Sequence, residues 1–136
     1  MKNPADSEIK KILDSAENIA IVGLSDSPEK PSYGVAKYLI SSGYNIFPVN
    51  PKYDSILGAK CYKSLNDIDE KIDIVDVFRR PEHILPVAEK AIEIEARVLW
   101  MQLGIINEEA AKLAHEAGLD VIMDRCIKVE HRRLSL

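Results

Sequence analysis

Short apolar runs alternate along the chain with longer stretches in which apolar positions recur every three or four residues. A helix is expected first, capped by Asp6, with Ile9, Ile12, Leu13 and Ala16 at helical spacing. Asn18 to Val22 then reads as an apolar strand. Ser32 can cap a second helix with Val35, Ala36, Leu39 and Ile40 on one face, and Gly43 fits the left-handed position just past its end. Tyr44 to Val49 makes the second strand. An irregular stretch through Leu57-Gly58 and a helical turn near Ser64 to Ile68 lead to a third strand, Ile72 to Phe78. Pro81 suits the first turn of the next helix, which runs to about Glu95 and turns Ile84, Leu85, Ala88, Ala91 and Ile92 to the sheet. Val98 to Gln102 is the fourth strand. Asn107 caps the last main helix, Glu108 and Glu109 complement its positive start, and Gly118 ends it before a fifth strand, Leu119 to Met123. The basic stretch from Arg125 to Arg133 reads as a solvated terminus.

Apolar strands alternating with helices predict an α/β fold, a Rossmann-like doubly wound domain whose five-stranded, mainly parallel sheet is flanked by helices. Ligands of such sheets bind outside the carboxyl ends of the strands. A chain of 136 residues suits a single domain over 1–136. No apolar run approaches the roughly 18 to 20 residues that cross a bilayer, and Met1 to Asp6 lacks the apolar stretch of a secretory signal. With only Cys61 and Cys126, no disulfide framework is expected and a cytoplasmic location follows. The net charge of −4 leaves no basic field for nucleic acid. The expected partner is a small molecule, with neither nucleic acid nor membrane; association with a protein or with itself is compatible with the sequence.

Candidate chemistry gathers at strand ends. In Gly23-Leu24-Ser25-Asp26-Ser27, Gly23 lacks a side chain where a phosphate would approach the backbone, Ser25 and Ser27 offer hydroxyls beside the next helix, and Lys30 adds charge. Asp26 and Glu29 oppose a phosphate unless they point to solvent. The second strand ends in Asn50-Pro51-Lys52, where a dinucleotide fold places an acid for the ribose hydroxyls. An amide and a cation disfavour plain NAD and leave an NADP-type ligand open. Phe78 with Arg79 and Arg80 combines a ring with guanidinium donors; only one arginine need face the site, with Arg79 the expected contact and Arg80 the alternative. Trp100 and Gln102, two apart on a strand, share one face, and Gly104 permits close backbone approach. His83, His115 and His131 form no catalytic pattern, and no metal-ligand spacing occurs.

Five phrases in order, Ile21-Val22-Gly23-Leu24-Ser25, Tyr44 to Pro51, Asp76 to Pro81, Trp100 to Gly104 and Met123 to Cys126, resemble the small CoA-binding protein family. They are similar also to the CoA-binding Rossmann-like domain of the succinyl-CoA synthetase alpha subunit. The resemblance covers about Asn18 to His131 and implies CoA or an acyl-CoA as ligand. It implies adenosine contacts at the second strand end and a pantetheine wall at Trp100 to Gly104. The synthetase carries its phosphorylated histidine on a further domain, so its ligase activity is not expected here. A noncatalytic carrier, sensor or partner component is the expected function. The alternatives are an NADP-type oxidoreductase or redox sensor and a subunit of an acyl-CoA enzyme. Cys126, near Arg125 and Lys128, is a candidate for a mixed disulfide with the CoA thiol when an oxidant is supplied.

Overall fold

The apolar runs form β1 (Asn18–Val22), β2 (Asn45–Val49), β5 (Ile74–Val77), β6 (Val98–Met101) and β7 (Asp120–Ile122). These pair in the order β2-β1-β5-β6-β7, and every pairing is parallel. The structure, a computed structural model, describes residues 2–134. The helices are α1 (Asp6–Ser15), α2 (Pro31–Ser41), α3 (Ile84–Glu93), α4 (Glu108–Glu116) and α5 (Ile127–Leu134). The result is the expected Rossmann-like α/β fold.

Strand alternation divides the core between the two faces of the sheet. Ala20, Val22, Val75, Val77, Leu99 and Met101 pack with α3 and α4. Ile19, Ile21, Ile74, Trp100 and Ile122 pack with α1, α2 and α5. Burial on both sides explains why the inner strands read as nearly continuous apolar runs, with Asp76 of β5 the exception. The chain passes from β1 outward to β2 and then returns to β5 on the other side of β1. Strand order therefore reverses between β1 and β5, opening a crevice above their carboxyl ends.

Several local expectations change. Asp6 lies inside α1, and Ala5 occupies the cap without a side-chain bond. Ser32 lies in the first turn of α2, whose cap position is Lys30. The stretch through Leu57-Gly58 is a small hairpin, β3 (Ser55–Ile56) with β4 (Ala59–Lys60). Leu57 and Gly58 both have positive φ, 52° and 79°, which is the twist that joins two strands through two residues. Asn107 caps α4 as expected, accepting from the Ala110 N–H.

The larger correction is α5, which replaces the solvated terminus. Ile127 is fully buried, Glu130 is nearly so, and the helix packs on α1 and α2. Gln102 caps it by accepting from the Ile127 N–H at 3.1 Å. Arg133 grips Asp6 through two bonds of 2.9 Å and also donates to Glu130. The buried glutamate's charge is thereby paired, and the last helix is tied to the first.

Candidate functional site at the strand ends

The turn after β1 is set by its neighbours before any ligand is considered. Gly23 has φ +86°, and a Cβ built there would stand 2.4 Å from the Phe78 carbonyl oxygen and 3.1 Å from Arg79 Cδ. Only glycine lets β1 and β5 converge at this point. The Gly23 N–H donates to Val49 and so joins the turn to β2 as well. Leu24 is buried in the α2-side core. The Ser25 N–H donates to Ser32 Oγ at 3.0 Å, and Ser25 Oγ accepts from the Ser27 N–H at 3.1 Å. The two hydroxyl oxygens shape the loop that leads into α2. Asp26 and Glu29 are exposed, and the first turn of α2 contains no acid. The helix thus presents its positive end without a competing carboxylate of its own.

Asn50 is a brace. Its Nδ2 donates to the Leu24 carbonyl at 3.0 Å and its Oδ1 accepts from the Lys52 N–H at 3.0 Å. One amide therefore holds the turns after β1 and β2 together, while Lys52 itself is exposed. Beside this brace opens a cavity of about 260 Å³. Val22, Val49, Leu65 and Val87 supply hydrocarbon, and Pro51, Lys63, Arg79 and Lys90 also line it. Lys63 Nζ donates to the Pro51 carbonyl at 2.9 Å, and Lys90 Nζ donates to Asn66 Oδ1 at 3.0 Å. Arg79 has no side-chain hydrogen bond or ion pair among the described residues, although it is exposed beside both lysines' cavity. Arg80 precedes the short helical turn Pro81–His83 and does not line the cavity.

The sequence singled out Val22, Val49, Pro51 and Arg79 or their strand ends, but not Lys63, Ser64, Leu65, Val87 or Lys90. The last two lie three apart on α3 and so share a flank of that helix, which is the only sequence signal that could have paired them. Phe78 is half-buried against the α2-side core, on the opposite face of the strand end from Arg79. Ring and guanidinium do not form one corner.

Trp100, Gln102 and Gly104 are not brought to this cavity. Trp100 has no exposed surface, and its Nε1–H donates to the Arg125 carbonyl at 2.9 Å. Gln102 is buried and committed to α5. The face that these two share is the one α5 covers, so neither forms the expected pantetheine wall. Gly104, with φ +83°, makes an exposed turn in which its N–H donates to Asp124 at 2.7 Å. Ser27 and Lys30 remain at the surface of the α2 turn.

Other reactive groups lie apart. Cys61 is buried, its thiol pushed up by desolvation, and its Sγ approaches the Asn50 carbonyl at 3.4 Å. Cys126 is half-buried where the chain enters α5. His131 bonds the Tyr38 hydroxyl through Nδ1 at 2.7 Å, against α2. Asp76, in the middle of β5, is fully buried, and neither carboxylate oxygen has a hydrogen-bond partner. Among the described residues no cluster of three or more His, Cys, Asp or Glu could hold a metal, and no helix is long and apolar enough to cross a membrane.

Against known proteins, a family model described as a CoA binding domain matches residues 17–132. An uncharacterized protein from Bacillus subtilis, YneT, is 51% identical over 131 residues, covering 96% of this chain and 97% of its own. An ADP-forming acetate–CoA ligase from Methanocaldococcus jannaschii is 40% identical over 76 residues, 56% of this chain but only 11% of the ligase. The structure of a hypothetical protein from Pyrococcus horikoshii superposes with a TM-score of 0.96 at 42% identity, covering 100% of this chain and 98% of that one. The same architecture and the same stretch of sequence recur together, and the chain belongs to the CoA-binding domain family.

Proposed function

We propose that this protein binds CoA or an acyl-CoA at the carboxyl ends of β1, β2 and β5, as a noncatalytic carrier, sensor or partner component. The cavity with a hydrocarbon floor and a rim of three cations, in a chain matched by the CoA-binding family, carries the reading. Its 260 Å³ is smaller than the roughly 300–1,000 Å³ pockets that enclose whole drug-sized ligands, so it suits one end of CoA. Adenine buries its ring faces against Val22, Val49, Leu65 and Val87. The diphosphate lies toward Gly23, Ser25 and Ser27 and the positive start of α2, where Lys30 adds charge. Pro51 stiffens the cavity edge, Lys52 adds charge beside it, and Arg79 reaches the phosphates. Pantetheine runs over exposed apolar surface at the same end of the sheet, where Leu103 and Ile106 stand out 69% and 49% exposed.

A binding role is supported by the separation of reactive side chains. His83 and His115 are exposed on α3's approach and on α4, His131 is engaged by Tyr38, and both cysteines are wholly or partly buried. The free cysteines suit a reducing, cytoplasmic setting. The acetate–CoA ligase similarity favours one second reading, in which this protein supplies the CoA site to an enzyme whose chemistry resides on another chain. Copurification with a catalytic partner would distinguish it.

Calorimetric titration with CoA, acetyl-CoA, NAD and NADP tests the proposal. CoA or acetyl-CoA should bind most tightly. Tighter binding of NAD or NADP, or no binding of either CoA compound, overturns it.

A further inference from the structure

The three cations around the cavity do not come from one place. Arg79 follows β5, and its Cδ lies 3.1 Å from the position a Gly23 Cβ would take, so its stem crosses the crevice beside the β1 turn. Lys63 precedes the short helical turn Leu65–Asp67, and Lys90 stands on α3. These two approach from the opposite flank to α2.

Each lysine is steadied by a neutral oxygen, Lys63 by the Pro51 carbonyl and Lys90 by Asn66 Oδ1. Asn66 is itself fixed, because its Nδ2 donates to Glu93 at 2.9 Å. Lys63 has one carboxylate in reach, Asp54 at 3.9 Å, and that side chain is fully exposed. An ammonium has three donors, so a single hydrogen bond leaves two on each lysine for a ligand. Positive charge thus occurs at the start of α2 and, separately, at Lys63 and Lys90, which line the cavity with its apolar floor. A ligand whose only phosphates are a diphosphate at the α2 turn leaves Lys63 and Lys90 without an anion. An adenosine that carries a second phosphate on its ribose can use both regions.

We infer that Lys63 and Lys90 recognise a ribose-borne phosphate of the adenosine, and that they determine specificity for CoA over dephospho-CoA. This rests on the proposed CoA site and adds a discrimination that the site alone does not require. Both lysines are exposed, so the preference should weaken as salt rises.

The test is calorimetry with CoA and dephospho-CoA on the wild type, Lys63→Met and Lys90→Met, with adenosine 3′,5′-bisphosphate and adenosine 5′-phosphate as a pair that lacks pantetheine. The methionine retains the apolar stem and removes the charge. Wild type should prefer CoA by about tenfold or more, as charge-assisted bonds to a phosphate allow. Each variant should lose most of that ratio through weaker CoA binding, with dephospho-CoA changed by less than about twofold, and the bisphosphate pair should follow the same pattern. Equal wild-type affinity for CoA and dephospho-CoA overturns this inference and leaves the CoA site standing. Equal weakening of both ligands in the variants also overturns it, since the lysines would then serve the part the ligands share. Binding of neither CoA compound overturns the site and the inference together. Unchanged thermal unfolding curves for the variants separate these outcomes from misfolding.

Discussion

Replacing Asp76 with asparagine isolates a proton that the fold holds at the centre of its sheet. Asp76 stands in register with Ile21 of β1 and Trp100 of β6, has no exposed surface, and offers two carboxylate oxygens that find no hydrogen-bond donor. Burial pushes its carboxyl well above the ordinary value of 3.8. Because the folded value is raised, the native protein keeps a proton that the unfolded chain releases. Stability from this group is therefore fully present below the unfolded value and is lost as pH rises through the folded one. Between the two values the loss is one proton's worth, about 1.4 kcal/mol per pH unit. The Asp76→Asn side chain has the same shape and cannot ionise. The variant should match wild type within about 1 kcal/mol near pH 4 and then gain on it by about 1.4 kcal/mol for each pH unit through that window. For a domain of this size the melting temperatures should separate by about 4 °C per kcal/mol. Urea unfolding at half-unit pH steps, followed by circular dichroism, measures the difference, from which titrations common to both proteins cancel. A gap that stays constant with pH would refute the reasoning and show that the carboxyl titrates as it does in the unfolded chain.

Gly23→Ala should cost at least about 2 kcal/mol in urea unfolding, because a left-handed φ alone costs about 1–2 kcal/mol and the new Cβ meets the Phe78 carbonyl; an unchanged midpoint would contradict the packing of β1 on β5. Trp100, fully buried and bonded to Arg125, should emit at short wavelength, resist iodide quenching and keep its emission when CoA is added. Strong quenching by CoA would return it to the binding surface. Arg133 holds the Asp6 carboxyl below the usual carboxylate range, chiefly through their hydrogen bonds, so this link is present above Asp6's ordinary value and is lost as pH falls through the depressed one. Arg133→Ala should speed amide exchange across residues 127–134 at neutral pH, and acidifying wild type should produce the same loosening; exchange unaffected by either change would remove the link between α1 and α5.

The inner strands were legible because both faces of the sheet are covered, which makes Asn18–Val22 and Val98–Met101 nearly continuous apolar runs and leaves Asp76 as the one carboxylate within Ile74–Val77. α5 was hidden for the opposite reason. Its sequence is polar and basic, and its attachment depends on Glu130 being buried with Arg133 and on Gln102 capping it from β6's end, neither of which a periodic pattern reveals. The error at Trp100 follows from that omission. Alternation correctly put Trp100 and Gln102 on one face, but without α5 nothing covered the face, and a core tryptophan looked like a ligand wall. Asn50 and Gly23 lie at strand ends, where their observed work is to join neighbouring strands. Lys63 and Lys90 come from separate elements, so their convergence exists only once the chain has folded.

Amide chemical-shift mapping with CoA tests the location of the site most directly, because the structure offers other cavities for comparison. One of about 290 Å³ lies by Tyr44 and His131, and one of about 390 Å³ lies between α3 and α4, by Glu89 and Leu113. CoA should shift the amides of Gly23, Asn50, Ser64, Arg79 and Lys90 most strongly and leave those of Tyr44, His131 and Leu113 in place. Saturating CoA that moves the second group and spares the first would contradict a strand-end CoA site.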